Sequence, residues 1–361
     1  MLKHAYAIIL AGGKGERFWP LSTAARPKQF LSIVGDLPLL ARSVACLEGL
    51  IPLDRILVVT GADLVERTRE AVPGLPAENI VGEPFGRDTG AACAVGAVQV
   101  KARDADGVCC VLTADHVIGD LPLFHATLRE AAGIAASADV LLTIGIRPRF
   151  ASTGFGYIEA GDPFPHDGRL EFYRAVRFVE KPDAATARRY LEAGNFYWNS
   201  GMFVWSAAAL ERALGQHRRP LAEMAARLLP AAGTDAFPAA LEAEYKRLEK
   251  ISIDYAVMEK ADNIVMVQGR FPWDDVGSWP SLANHFPADE DGNVIVGSCE
   301  AVDSRGNVVV SKERLTALIG VKDVVVVQAG GATLVCAKDR AQDVKKMVRR
   351  LAEQEAYRGL L

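Results

Sequence analysis

In the first part of the chain, short apolar runs alternate with longer stretches whose apolar positions recur at helical spacing. The runs Ala5–Leu10, Arg55–Thr60, Val108–Leu112 and Val140–Ile146 predict buried strands. The stretches Leu39–Leu50, Ala62–Ala71, Gly90–Ala102 and Leu123–Ser137 predict the helices between them. This alternation predicts an α/β fold of Rossmann-like kind, with a mixed, mostly parallel sheet and helices on both faces. Ligands of such sheets bind beyond the carboxyl ends of the strands. The loops after Leu10 and after Leu112 should therefore reach one rim.

From Gly154 the pattern turns mixed. Gly154–Glu159, Ala175–Glu180 and Phe203–Trp205 predict strands, and Asp183–Ala193 predicts a helix with Asp183 as its cap. A long Ala- and Leu-rich helical stretch follows over Ala207–Lys250, its charges (Arg212, Glu223, Arg227, Glu242, Glu244, Lys246) forming a solvated face. After Pro287 the runs become short and β-rich: Asn293–Val296, Cys299–Asp303, Val308–Ser311, Leu315–Ile319, Val324–Ala329 and Thr333–Ala337. Their regularity predicts a small C-terminal β domain, of the kind built from coils of a β-helix, closed by an amphipathic helix over Arg340–Glu355. The expected division is a catalytic domain over 1–286 and a small β domain over 287–361.

At 361 residues the chain is long enough for a main domain and a smaller one. A net charge of −4 argues against a nucleic-acid partner, so any cationic site must be focused locally. Six cysteines occur without a C-x-x-C pair, and Cys109-Cys110 lies in an apolar run; reduced core thiols and a cytoplasmic setting are expected. No secretory leader is expected before the first strand, and no apolar run is long enough for a membrane span.

The segment with most chemistry is Leu10-Ala-Gly-Gly-Lys-Gly-Glu-Arg-Phe-Trp-Pro-Leu-Ser22. Gly12, Gly13 and Gly15 allow a tight turn and expose backbone N–H donors, while Lys14 and Arg17 add positive charge. A strand entering such a turn grips phosphates. It is no Walker A loop, because no Ser or Thr follows Lys14. It is no dinucleotide fingerprint either, because Phe18 stands where the third glycine belongs.

This opening resembles L-x-G-G-x-G-x-R-x-x-P-L of the sugar nucleotidyltransferases. Five further segments are similar to that family: Arg26-Pro-Lys-Gln-Phe-Leu31, Glu83-Pro-Phe-Gly-Arg-Asp-Thr89, Phe178-Val-Glu-Lys-Pro182, Trp198-Asn-Ser-Gly-Met-Phe203 and Asp275-Val-Gly-Ser-Trp279. Within the family the chain most resembles the bacterial mannose-1-phosphate guanylyltransferases, and the monofunctional type that lacks a fused cupin isomerase. Asp88 departs from the family's more usual Asn, and Gly90-Ala91 from Ala-Pro.

The resemblance implies transfer of GMP from GTP to α-D-mannose 1-phosphate, with pyrophosphate leaving. Alternatives within the same chemistry are another sugar 1-phosphate (glucose or a heptose) or another NTP. A non-catalytic regulatory homologue is the remote alternative, opposed by the presence of Arg17, Lys181 and both aspartates named below. Such a transfer needs cations and a metal rather than a protein nucleophile. Arg17 and Lys28 are the candidates for the NTP phosphates, Arg as a planar fork and Lys as a mobile charge. Leu10, Gly12, Gly13, Lys14, Gly15, Gly86 and Thr89 would complete the nucleotide site. Glu83 is the candidate guanine reader, because a carboxylate can accept both N1–H and N2–H₂.

Lys181, the third catalytic candidate, would meet the sugar phosphate, with Glu180 and Lys181 delivered to opposite sides of a strand that Pro182 ends. Gly156, Glu180, Asn199 and Asp254 would hold the sugar. Asp115 and Asp275 are the candidate ligands of Mg²⁺, or of another divalent cation such as Mn²⁺. Asp274 is the weaker candidate, because the matching motif sets the metal carboxylate immediately before Val276-Gly277. The expected partners are GTP and mannose 1-phosphate, in a homodimer.

Overall fold

The computed structural model describes residues 2–361. The chain packs as two compact units. The first runs up to Gly12 and then takes Ser43–Ala114 and Ile118–Trp273; the second takes Gly13–Arg42, Asp115–Val117 and Asp274–Leu361. The expected division at 286/287 follows chain order, whereas packing draws the Gly-rich loop and the Asp115 turn together with the C-terminal segment.

The first unit is built on a nine-stranded mixed sheet. Its strands are β1 (Ala5–Ala11), β2 (Ile56–Gly61), β3 (Ile80–Glu83), β4 (Val108–Thr113), β5 (Leu141–Ile146), β6 (Tyr157–Pro163), β7 (Phe172–Val179), β8 (Phe196–Ser206) and β9 (Ile264–Gly269). They lie in the order β3-β2-β1-β4-β8-β5-β9-β7-β6. The ladders from β3 to β4 and between β5 and β9 are parallel, and β8 runs antiparallel to both β4 and β5. β3 and β9 escaped the sequence pattern: Gly82 interrupts the first, and the second follows polar turns. Most of β8 did too, because Asn199-Ser200-Gly201 breaks its apolar run.

Besides two-turn helices at Leu39–Ala45 and Val65–Ala71, the longer helices are α1 (Thr89–Arg103), α2 (Leu121–Ser137), α3 (Ala184–Ala193), α4 (Ala207–His217), α5 (Arg219–Leu228) and α6 (Phe237–Tyr245). Asp183 caps α3 as expected, its carboxylate accepting from Thr186 N at 2.8 Å. The single long helix expected over Ala207–Lys250 is instead three helices. Pro220 and Pro238 sit in the first turns of α5 and α6, and Pro230 lies in a tight turn after Leu228. Proline lacks the N–H that a continuous helix needs and restricts the residue before it. The solvated-face expectation fails at Glu244, which is buried and accepts from Arg227 at 2.8 Å and Arg247 at 3.1 Å. One core joins Ile8, Leu57, Val59 and Val81 of the sheet to the small side chains of α1 and to Leu210, Leu221 and Leu241 of α4 to α6.

The second unit centres on a four-stranded sheet, β10 (Val294–Val302), β11 (Val308–Ile319), β12 (Val324–Ala329) and β13 (Ala332–Ala337). The six expected runs merge into four strands, because the ladder continues past an irregularity at Gly297 to Cys299. β10, β11 and β12 pair in parallel, setting Val294, Val308 and Val325 in register as successive coils. Asn293 and Asn307 stack on the inside: Asn307 Nδ2 donates to Asn293 Oδ1 at 2.9 Å, and Val324 N donates to Asn307 Oδ1 at 3.0 Å. Such a ladder satisfies polar groups inside a coil. The same core holds Phe18, Trp19, Val276 and Trp279. The expected terminal helix is shorter, α7 (Val344–Ala352), preceded by a tight turn over Lys338–Asp343.

Candidate active site

In the first unit β3 ends on Glu83, whose side chain is buried. Tyr245, at the end of α6, donates its hydroxyl to Glu83 Oε1 at 2.9 Å. Burial pushes the Glu83 carboxyl up to about 7, with the Asp88 charge adding to the rise and the Tyr245 hydrogen bond opposing it. Leu10, on β1, accepts Ala114 N at 3.0 Å through its carbonyl, and a Cβ at Gly12 would lie 3.5 Å from Glu83 Oε2. Gly86 is exposed.

The loop from Glu83 to Thr89 is fastened to the segment after α6. Arg87 Nε donates to Tyr245 O at 2.9 Å, Ile251 N to Arg87 O at 3.2 Å, and Ile253 N to Thr89 Oγ1 at 2.9 Å. Asp88 takes a positive φ of 69° and caps α1. A non-glycine residue there is held by its surroundings at a cost in backbone energy.

The same segment leads to Asp254, which opens a single π-turn over Asp254–Met258 rather than capping a helix. Asn199 Nδ2 donates to Asp254 Oδ1 at 3.0 Å, while Asn199 Oδ1 accepts Gly201 N at 3.1 Å and Thr143 Oγ1 at 3.3 Å. Gly156 O accepts Asn199 N at 2.8 Å. Glu180 and Lys181 do not point to opposite sides of a strand. β7 ends at Val179, Lys181 takes a φ of 47°, and its ammonium folds back onto Glu180 Oε1. Glu180 Oε2 is buried and has no hydrogen-bond partner among the described residues. Burial and then the Glu180 charge raise the Asp254 carboxyl to about 6, with Lys181 opposing. Gly156, Glu180, Lys181, Asn199 and Asp254 thus form one cluster with an unsatisfied acceptor, suited to a hydroxylated, anionic ligand.

In the second unit Gly15 stands in the left-handed region (φ 63°), and a Cβ there would lie 2.3 Å from Lys28 Cβ. The bare turn lets Lys28 pack against Gly15, and Ser22 Oγ ties the turn by donating to Lys14 O at 3.0 Å. Lys28 is buried, and its ammonium donates to Asp115 Oδ2 at 2.9 Å and to Asp275 O at 2.8 Å. Arg17 Nη1 donates to Gly277 O at 3.2 Å. Burial would raise the Asp115 carboxyl, but Lys28 and His116 hold it below the ordinary range. Asp275 goes the other way, to about 6, through burial and the charges of Asp274 and Asp115, against Lys28 and Arg17. Burial pushes His116 down to about 4, which leaves it neutral.

Asp274 is occupied structurally, accepting Asn284 Nδ2 at 2.6 Å, His285 Nε2 at 3.1 Å and Val276 N at 2.7 Å. Val276 is held at φ 43°, an outlier for a β-branched residue, at the turn that presents Asp275. Two carboxylates that repel one another suit a divalent cation.

The sequence reading missed Tyr245, Glu259 (whose Oε1 accepts Glu180 N at 2.8 Å) and the strain at Val276. Tyr245 carried a weak signal, an aromatic inside a charged stretch. The other two carried none. The aromatics Tyr197, Trp198, Trp273 and Trp279 are buried, as core or wall residues.

Residues 6–292 match the family model described as nucleotidyl transferase, and 297–351 match the one described as a MannoseP isomerase/GMP-like beta-helix domain. The chain belongs to the nucleotidyl transferase family. Among relatives, a mannose-1-phosphate guanylyltransferase of Klebsiella pneumoniae is 37% identical over 96% of this chain and 74% of its own length. An alginate biosynthesis protein of Pseudomonas aeruginosa is 36% identical over 96% of this chain and 72% of its own. A crystal structure from Thermus thermophilus, described as a mannose-1-phosphate geranyltransferase, superposes with a TM-score of 0.85 at 37% identity, covering 96% of this chain and 99% of that one. One from Helicobacter pylori, described as a mannose-6-phosphate isomerase, gives 0.61 at 25% identity over 75% of this chain and 99% of that one. This nucleotidyl transferase is an enzyme of sugar-nucleotide synthesis. Among the described residues no helix is long and apolar enough to cross a membrane.

Proposed function

We propose that the chain transfers GMP from GTP to α-D-mannose 1-phosphate, giving GDP-mannose and pyrophosphate. The observation that carries this is the sugar cluster. A buried carboxylate oxygen without a partner, an oriented amide and a lysine are what a hydroxylated phosphate ester requires. The relatives named mannose-1-phosphate guanylyltransferase support the choice of sugar and base.

A phosphate oxygen of the sugar 1-phosphate attacks the α-phosphorus of GTP. The bond from that phosphorus to the oxygen bridging to the β-phosphate breaks, and pyrophosphate departs with the electron pair. Lys181 holds the attacking phosphate, and Glu180, Asn199 and Asp254 accept from or donate to the sugar hydroxyls. Glu83 accepts the two adjacent donors of guanine. Arg17, Lys14 and the N–H groups of the Gly-rich turn neutralise the nucleotide phosphates, and Lys28 braces Asp115 and the Asp275 turn. Asp115 and Asp275 would hold Mg²⁺, or Mn²⁺ in its place. When bound, the ion would neutralise phosphate charge. The setting proposed is the cytoplasm.

The test is pyrophosphate release by the purified protein with Mg²⁺ across the four NTPs and the 1-phosphates of mannose, glucose and a heptose. Release confined to GTP with mannose 1-phosphate is the expected result. Release with another pair would keep the chemistry and reject the assigned base or sugar.

A further inference from the structure

Guanine and adenine differ in what they ask of a carboxyl group. Guanine presents two adjacent donors, N1–H and N2–H₂, and needs an acceptor on each oxygen. Adenine presents an acceptor at N1 beside a donor at N6, and is matched by a protonated carboxyl with one donor and one acceptor. The protonation state of a base-reading carboxyl is therefore itself a selector.

Resting on Glu83 as the base reader, we propose that Tyr245 sets the choice of base, by holding Glu83 as an acceptor on both oxygens. The Tyr245 side chain is fully buried, and its hydroxyl donates to Glu83 Oε1 at 2.9 Å. A phenol this buried stays protonated, since desolvation and the neighbouring Glu83 both oppose its ionisation, so it remains a donor. It cannot swing away easily. Arg87 donates to its carbonyl at 2.9 Å, and the Phe85 ring meets the Tyr245 ring edge-on at 6.1 Å between centroids. One donated bond leaves Glu83 Oε1 a further lone pair and leaves Oε2 whole, so guanine can still be read by both.

The charged and titratable groups that face Glu83 leave this donor without a substitute. Asp88, on the loop after β3, disfavours a charged Glu83, and the Cys93 thiol, on α1, is held protonated by burial and adds no charge. Arg87 spends Nε on the Tyr245 carbonyl and lays its guanidinium over Phe85 at 4.6 Å. Gly12, from β1, brings no side chain. Tyr245 is thus the donor that favours the acceptor form of Glu83, whose carboxyl burial raises to about 7 even with that bond in place. Tyr245 acts through Glu83, as a positioning residue.

The experiment measures kcat/KM for GTP and for ATP from about pH 6 to about pH 8.5, in the wild type, Tyr245→Phe and Glu83→Gln, with mannose 1-phosphate saturating. The wild type should prefer GTP most at high pH, with the preference narrowing as Glu83 takes a proton. Tyr245→Phe should lose about tenfold of that preference near neutrality, mainly in KM for GTP. It should regain the preference at about pH 8.5, where Glu83 ionises without help; a misfolded variant would not.

KM for mannose 1-phosphate should be unmoved in Tyr245→Phe. Glu83→Gln, a donor and an acceptor at every pH, should show little preference and no pH dependence of it. A Tyr245→Phe enzyme with the wild-type ratio at every pH, or with equal loss on both nucleotides that high pH does not restore, overturns the proposal. A Glu83→Gln enzyme that still prefers GTP overturns instead the assignment of Glu83 as base reader.

Discussion

Replacing Gly156 by alanine should damage the sugar side of the reaction and spare the nucleotide side. The new Cβ would stand 2.3 Å from Glu180 Oε2 and 3.3 Å from Asn199 Cβ. Real carbon–oxygen contacts do not persist at the first distance, so something must move. Glu180 cannot simply rotate off: Lys181 holds its other oxygen, and Glu259 holds its backbone N–H at 2.8 Å. Moving Gly156 instead drags Asn199, because Asn199 N donates to Gly156 O at 2.8 Å. Either response displaces a proposed sugar contact. Overpacking of this kind costs about 1–3 kcal/mol, or roughly 5- to 150-fold in binding. The assay is steady-state pyrophosphate release with each substrate varied in turn. KM for mannose 1-phosphate should rise by that factor, and KM for GTP should stay within about twofold. An unchanged KM for mannose 1-phosphate in a folded Gly156→Ala protein would refute the placement of the sugar in this cluster.

Removing divalent metal with EDTA should abolish pyrophosphate release and added Mg²⁺ should restore it. Asp275→Asn should lose at least about a hundredfold in kcat with wild-type thermal stability, and metal-independent turnover would count against both aspartates. Lys28→Met should cost about 2–3 kcal/mol of stability by urea denaturation, because it leaves the Asp115 carboxylate and the Asp275 carbonyl without their donor; an unchanged midpoint would contradict that bracing role.

Glu83 binds its proton more tightly folded, at about 7, than at its ordinary 4.5. The folded state therefore holds more protons through this window, and stability should fall as pH rises across it, by roughly 3 kcal/mol from this group. Thermal melts of the ligand-free protein against pH should show the decline, and Glu83→Gln should flatten it. A wild-type melting point that rises over the same window would contradict the burial of Glu83.

The sequence was most readable where one residue type can do one job. Gly12, Gly13 and Gly15 permit a tight turn with exposed N–H donors, the ground on which the turn is legible, and Gly15 does take a positive φ. Asp183 caps its helix through a local hydrogen bond, and the apolar runs of β1, β2 and β4 are strands because both faces are covered. Local pattern failed where distant chain decides. Glu244 looks like one more surface charge until the fold buries it and brings Arg227 to it from α5. Tyr245 acquires meaning only when α6 brings it to the end of β3. Lys181 reads as the outward partner of Glu180 in an alternating strand, yet its backbone turns left-handed and the two pair. The three prolines that break Ala207–Lys250 are plain in the sequence, and they outweigh its Ala- and Leu-rich helical character. At the candidate site the residue types were legible, whereas the roles of Glu259 and Val276 depend on long-range geometry with no local signature.

The most direct measurement follows GTP labelled at its α-phosphorus through the reaction with mannose 1-phosphate and Mg²⁺. The account predicts that the label appears in GDP-mannose while unlabelled pyrophosphate is released in equal amount. Label appearing only in free GMP, or remaining in GTP with the folded protein present, would contradict transfer to the sugar phosphate.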